Sequence, residues 1–236
     1  MASFSKPGSA ARKTILFLGA TGGCGFSVLC RFLDAGHTCD GHPQALLRWS
    51  PSLDPAASSL ADAVVFALGG VFSLSRMGND DPDICRAGME ALLSGLSTAR
   101  PQRLDGPRGD AAAPRTHVIS TTGISEQGRH VPLAMLPMYS YMLKEPHRDK
   151  KAMEDTLVTS GEAWTIVRPS LLTDESASRV RKIRVGVEDH VGKVLLSKDG
   201  VGYTISREEV GRCMFENLME EAGSDTWLWK IATITH

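Results

Sequence analysis

Residues Thr14-Ile15-Leu16-Phe17-Leu18-Gly19-Ala20-Thr21-Gly22-Gly23-Cys24-Gly25 decide how the rest of the chain reads. The first five form a short apolar, β-branched run of the kind that fills a buried parallel strand. Glycines then turn the chain, and beyond Phe26 the residues Val28, Leu29, Phe32 and Leu33 recur at helical spacing. Strand, glycine turn and amphipathic helix together make a cradle for a phosphate-bearing ligand. Gly19 lets the chain turn, Gly22 admits a diphosphate against bare backbone, and Gly25 lets the helix pack close to the sheet. Unpaired N–H groups and the positive end of the helix dipole then face the phosphates. The spacing is G-x-x-G-x-x-G rather than G-x-G-x-x-G, so the flanking strand and helix carry the assignment. A dinucleotide site is expected here, built from Gly19, Thr21, Gly22, Gly23, Cys24 and Gly25.

With 236 residues the chain suits one α/β domain and can bury a substantial core. It is read as a single domain, with residues 1–12 a flexible tail and 170–236 the substrate-side portion. That tail is basic, Ser-rich and free of acids, as a transit peptide would be, but it is short. A formal net charge of -1 gives no electrostatic case for nucleic acid or an anionic membrane. No apolar run reaches the ~18 residues a membrane span needs. The five cysteines are odd in number and include no C-x-x-C pair, which fits reduced thiols in the cytoplasm. Cys39 lies between His37 and His42 without a second ligand cluster, so no metal is expected. A small-molecule substrate and a monomer or homodimer complete this reading.

The second strand should follow Ala35-Gly36-His37, yet Gly41 and Pro43 interrupt the region. The strand is expected either at residues 44–48 or after a looped excursion, and Asp40 is disfavoured as a strand-end acid. An acid at this junction holds a ribose 2′-hydroxyl, whereas an arginine accepts a 2′-phosphate. Arg48, closing Ala45-Leu46-Leu47 before a Ser-Pro turn, tips the expectation toward NADP over NAD. Residues 63–68 read as the next strand, ending in Leu68, Gly69 and Gly70 at the ligand-binding edge of the sheet. Asp80-Asp81-Pro82-Asp83 starts a helix that runs to about Ala99, followed by a Pro/Gly-rich loop over 101–115. Residues 116–120 form a strand whose carboxyl end offers Ser120, Thr121 and Thr122 as hydrogen-bonding hydroxyls, a pattern a plain turn shares. Residues 139–151 lead into a helix over 152–160, and 162–168 form a strand broken at Pro169. Short valine-rich strands and a basic run occupy 177–202. Ser206-Arg207-Glu208-Glu209 is a capping box opening a helix through residue 221, and 227–235 close the chain as a strand.

The glycine motif, Ala67-Leu68-Gly69-Gly70 and Trp164-Thr165-Ile166-Val167-Arg168-Pro169-Ser170, in this order, resemble the atypical short-chain dehydrogenase/reductases. The nearest resemblance is to the NmrA-like NAD(P)-binding group that includes flavin- and biliverdin-reductase-like proteins. His147-Arg148-Asp149-Lys150-Lys151-Ala152-Met153-Glu154 is similar to the helix that carries that group's active-site lysine. The resemblance covers most of Lys13–Glu221. It implies a Rossmann-type doubly wound parallel sheet, an NADP-type cofactor, and a substrate cleft built by the C-terminal part. Two features depart from the pattern. The third strand and its Gly-Asp are missing between Arg48 and Asp62, and no Tyr-x-x-x-Lys pair exists, since Leu143 and Glu145 follow Tyr139 and Tyr141 at that spacing. The function implied is an NADPH-dependent reductase of a small carbonyl or enone, aromatic or polyketide-like. Tyr141 or Lys150 would donate the proton, Ser120 or Thr121 would position the carbonyl, and His147 could relay protons. The alternatives are a non-catalytic NADP-sensing regulator and a non-redox isomerase or cyclase.

Overall fold

The computed structural model describes residues 12–41, 61–73, 78–104, 114–124, 144–175, 182–196, 202–219 and 226–236. Its elements are β1 (Thr14–Leu18), α1 (Gly23–Asp34), β2 (Thr38–Asp40), β3 (Ala63–Phe66), β4 (Phe72–Ser73), β5 (Gly78–Asn79), α2 (Ile84–Leu104), β6 (Arg115–Ile119) and α3 (Lys144–Thr159). They continue with β7 (Trp164–Pro169), β8 (Leu171–Thr173), β9 (Arg184–Glu188), β10 (Val194–Leu196), β11 (Thr204–Ser206), α4 (Arg207–Met214) and β12 (Lys230–Thr235). A π-helical turn, Phe215–Met219, extends α4.

The main sheet has eight strands in the order β10-β9-β12-β7-β6-β3-β1-β2. The pairs from β2 through β12 are parallel, and β9 joins β12 antiparallel. The chain leaves β1 for β2 on one side and reaches β3 on the other, so the strand order reverses between β1 and β3. Open α/β sheets bind ligands at such a switch point, outside the carboxyl ends of the strands.

Alternation along the strands sends side chains to two cores. Ile15, Phe17 and Val65 pack with Val28 and Phe32 of α1 and Val210 and Met214 of α4. Val64, Phe66 and Val118 pack with Met89 and Leu92 of α2 and Met153 and Leu157 of α3. Each fully buried large side chain contributes about 1.5–3 kcal/mol. Helices therefore cover both faces, and the doubly wound Rossmann-type fold expected from the motifs is the fold observed. Among the described residues no helix is long and apolar enough to cross a membrane.

Several boundaries differ from expectation. β2 runs Thr38–Asp40, so Asp40 does end a strand. Thr38 N–H donates to Lys13 O at 2.9 Å, and among the described residues the strand pairs only with β1. As an edge strand it tolerates a polar, half-exposed sequence, and Gly41 ends it rather than excluding it. The strand considered at 44–48 lies outside the described residues. α2 continues past residue 99 through Pro101, where the loop was expected. Proline costs a helix one N–H donor and a kink, which need not end it. α3 opens at Lys144, so the segment His147–Lys151 is helical and not a lead-in. β7 keeps Pro169, paired opposite Ile234, and the closing strand begins only at Lys230, after a turn with Trp229 at φ 60°.

Candidate functional site

The carboxyl ends of β1, β3 and β6 and the amino end of α1 meet at the switch point. Gly19 follows β1 with φ 86°, in the left-handed region. A Cβ there would lie 2.6 Å from Ala67 C and O, so the turn after β1 rests directly on the backbone leaving β3. A Cβ on Gly25 would overlap Gly19 O and stand 3.1 Å from Ala67 Cβ. Gly25 thus serves close helix–sheet packing, as its spacing suggested. Gly22 is different. It is exposed, has the ordinary extended φ of -74°, and a Cβ on it would meet only Gly19 O at 3.6 Å.

Gly22 is the N-cap of α1, with no side-chain capping bond and no acid in the first turn. Among the described residues no side chain caps the first N–H groups of the helix, which suits them to an outside acceptor. Bare backbone, free donors and the dipole's positive end fit a diphosphate. Thr21 and Gly23 are exposed beside it, and Cys24 is buried beneath. Burial pushes the Cys24 thiol up to about 11, against the opposing fields of Arg207 and Lys150 and with that of Asp174. Cys85 rises likewise to about 11, chiefly through burial. Neither thiol is a nucleophile at neutral pH.

Lys150, half-buried on α3, reaches across the ends of two strands. Its Nζ donates to Leu68 O at 2.6 Å and to Ile119 O at 2.9 Å. Leu68 O also accepts from Cys85 Sγ at 3.4 Å. The preceding residue, Asp149, is buried and accepts from Cys85 N and Arg86 N at 3.0 and 2.9 Å. It satisfies the opening N–H groups of α2, a role the sequence reading missed. One consecutive pair of α3 thus fixes α2 and the ends of β3 and β6 together.

Ser120 follows β6, its N–H donating to Val167 O at 2.8 Å. Its Oγ is buried and has no hydrogen-bond partner among the described residues. Thr121 is half-buried and donates to the carbonyl of Thr122 at 3.2 Å. Gly69 is exposed and Gly70 half-buried beyond β3; a Cβ on Gly70 would crowd Asn79 at 2.7 Å. His147 lies half-buried on α3, and burial lowers its pKa. Lys150, Ser120, Thr121, Leu68 and the glycines are thus brought together. Tyr141 and Arg48 lie outside the described residues. Asp40 ends β2, next along the sheet from β1.

Arg168, from the sequence motif nearest the known families, does not join this cluster. It is buried on β7 and binds Glu154 of α3 through Nε at 3.1 Å and NH2 at 2.6 Å, and Glu188 of β9 at 2.5 Å. The Ile-Val-Arg-Pro element is a structural tie. Among the described residues no His, Cys, Asp and Glu group could hold a metal ion.

Comparisons with known proteins agree with this fold. The model of a family described as NAD(P)H-binding matches residues 52–221. A reductase, pytE of Aspergillus terreus, is 35% identical over 97% of this chain and 100% of its own. An oxidase, pynE of Aspergillus niger, is 26% identical over 95% of this chain and 99% of its own. Among solved structures, a short-chain dehydrogenase/reductase from Veillonella parvula in complex with NADP superposes with a TM-score of 0.62 at 14% identity, covering 96% of this chain and 95% of that one.

Proposed function

The chain belongs to the NAD(P)H-binding family, and we propose that it is an NADPH-dependent reductase of a small carbonyl or enone substrate, aromatic or polyketide-like. The observation that supports this reading is the conjunction at the switch point: a glycine-lined α1 terminus without a side-chain cap, beside a positioned ammonium and a buried hydroxyl that has no partner among the described residues. The bound coenzyme supplies hydride. The chain supplies orientation, a dry cleft and a proton.

Ser120 Oγ, with its donor unspent, suits a carbonyl oxygen at the end of β6. Lys150 places positive charge where an oxyanion would develop. Two of its three donors are held by carbonyls, which leaves one for a ligand. His147 and Tyr141 are the further candidates for proton relay and proton donation. The C-terminal part, from residue 170, is assigned the substrate side. The reductase direction follows the name of the Aspergillus terreus relative.

One observation favours a second reading of the coenzyme. Asp40 at the end of β2 suits a free ribose 2′-hydroxyl and repels a 2′-phosphate, which points to NADH. Arg48 and the NADP held by the Veillonella neighbour support NADPH. Titrating both coenzymes by their fluorescence, on the parent and on Asp40→Ser, decides between them. Under the NADPH reading the parent binds NADPH more tightly; preference for NADH that disappears in Asp40→Ser reverses it. Oxidation of the bound coenzyme with a quinone, flavin and enone panel tests the reductase. Tight binding without turnover on any of them refutes the enzyme in favour of a sensing regulator.

A further inference from the structure

We propose that Arg207 is a coenzyme ligand that exchanges an intramolecular carboxylate, Asp174, for the diphosphate. The proposal rests on the dinucleotide reading of the α1 terminus and adds a residue to it from the far end of the chain.

The placement follows from the packing of two helices. α4 lies along α1 with matching ends: Arg207 is against Gly23, Gly211 against Ser27, and Phe215 against Phe32. Ser27 Oγ donates to Glu208 O at 3.3 Å, which holds this register. The Arg207 stem crosses the first residue of α1, where a Cβ on Gly23 would overlap Cδ and stand 3.0 Å from Nε. Glycine at 23 therefore clears a path for a cation over the helix end, as well as for a ligand.

Asp174 is held close by the small parallel sheet. β8 and β11 pair with Thr173 opposite Ser206, so the next residues, Asp174 and Arg207, leave side by side. Arg207 NH1 donates to Asp174 Oδ1 at 2.5 Å. The Asp174 side chain is 88% exposed and that of Arg207 35%. An exposed single-charge pair is weak and readily exchanged. A diphosphate offers two charges and oxygens that match the guanidinium fork, and it brings them to the helix end the stem already spans. The charges of Arg207, Lys150 and Asp174 all act on the Cys24 thiol in the first turn of α1. Asp174 then acts as a competitor that weakens binding, and Arg207 as the group competed for.

The test measures dissociation constants for NADPH and NADH by fluorescence or calorimetry on the parent, Arg207→Ala, Arg207→Lys and Asp174→Ala, with thermal unfolding alongside. The expected result is about a tenfold or greater weakening in Arg207→Ala, the worth of one charge-assisted bond. Arg207→Lys should fall between, and Asp174→Ala should bind tighter than the parent. The effect of Arg207→Ala should be the same for both coenzymes, since both carry the diphosphate. A structural ion pair would instead make the two alanine variants change in the same direction, which overturns the proposal. Loss confined to NADPH overturns it too, because it would assign Arg207 to the 2′-phosphate. If Arg207→Ala does not fold, Asp174→Ala still decides: binding no tighter than the parent refutes the exchange. A parent that binds neither dinucleotide defeats the functional reading itself, a different result from a parent that binds and an Arg207→Ala variant that binds equally well.

Discussion

Replacing Gly22 by alanine separates the protein's own need for glycine from the ligand's. At φ -74° and ψ 149° any residue is comfortable, and the new methyl would meet only Gly19 O at 3.6 Å. Two backbone effects oppose each other in the free protein. Alanine reduces the entropy of the unfolded chain, a gain of about 0.4–1 kcal/mol. It is also a poorer N-cap than glycine, a loss of about 1 kcal/mol. Stability should therefore change by less than about 1 kcal/mol. Under the proposed dinucleotide reading binding should change far more, because the methyl would stand where phosphate oxygens approach the opening N–H groups of α1. Losing two charge-assisted hydrogen bonds costs about 3 kcal/mol or more, roughly a hundredfold or greater rise in Kd. Gly25→Ala is the control. Its methyl overlaps backbone, Gly19 O, and should lower stability by about 1–3 kcal/mol along with binding. Coenzyme fluorescence titration and urea unfolding measure the two quantities. A Gly22→Ala variant that binds as the parent does would show that no diphosphate lies against this turn.

Three further outcomes follow from buried polar groups. Arg168→Met leaves Glu154 and Glu188 buried without their cation and should destabilise by about 3–5 kcal/mol in urea unfolding; a change below about 1 kcal/mol would show that water reaches the pair. His117 is 1% exposed, its ring nitrogens have no hydrogen-bond partner among the described residues, and burial holds its pKa down at about 3. The unfolded chain takes up a proton below about pH 6.5 that the native state refuses, so stability falls as pH drops from about 6.5 toward 3. At pH 5 this share of the loss is about 2 kcal/mol, and His117→Leu should remove it while leaving stability at pH 8 equal or higher; an unaltered acid slope in unfolding curves would refute this. Lys150→Ala releases Leu68 O and Ile119 O and should lower both stability, by about 1–3 kcal/mol, and kcat/KM. Stability lost with turnover intact would make Lys150 a clasp between strands and nothing more.

How far the sequence could be read depends on where the physical constraint lay. β1 and β3 are central strands whose sequences, TILFL and AVVF, declare themselves as apolar runs. Gly19 and Gly25 were legible because the demand on them is local: a left-handed turn in one case, backbone contact in the other. β2 was misplaced because a three-residue edge strand needs neither an apolar run nor a continuous ladder, and its pairing with β1 comes from the sheet. The start of α3 was missed for a related reason. Lys144-Glu145-Pro146-His147-Arg148-Asp149-Lys150-Lys151 contains no amphipathic period, since its inward face is charged. That face is paid for by tertiary partners: Asp149 holds the N–H groups of α2, and Lys150 holds the ends of β3 and β6.

The same distinction divides the site. The proposed diphosphate cradle is written in consecutive residues, whereas the cations placed near it arrive on other elements. Lys150 comes from α3 and Arg207 from α4, and neither position carries a periodic or spacing signal. Ser206-Arg207-Glu208-Glu209 reads in sequence only as a capping box, and the box is present: Ser206 Oγ accepts from Glu209 N at 3.2 Å. Its consequence for the site appears only when α4 is laid on α1. By fixing where α4 begins, the cap fixes which residue stands first, and that residue is the arginine over Gly23. A cap that served helix stability alone would be indifferent to the residue after Ser206. Here a local start signal in one helix sets the charge at the end of another, and substituting Arg207 while leaving Ser206 and Glu209 intact separates the two functions.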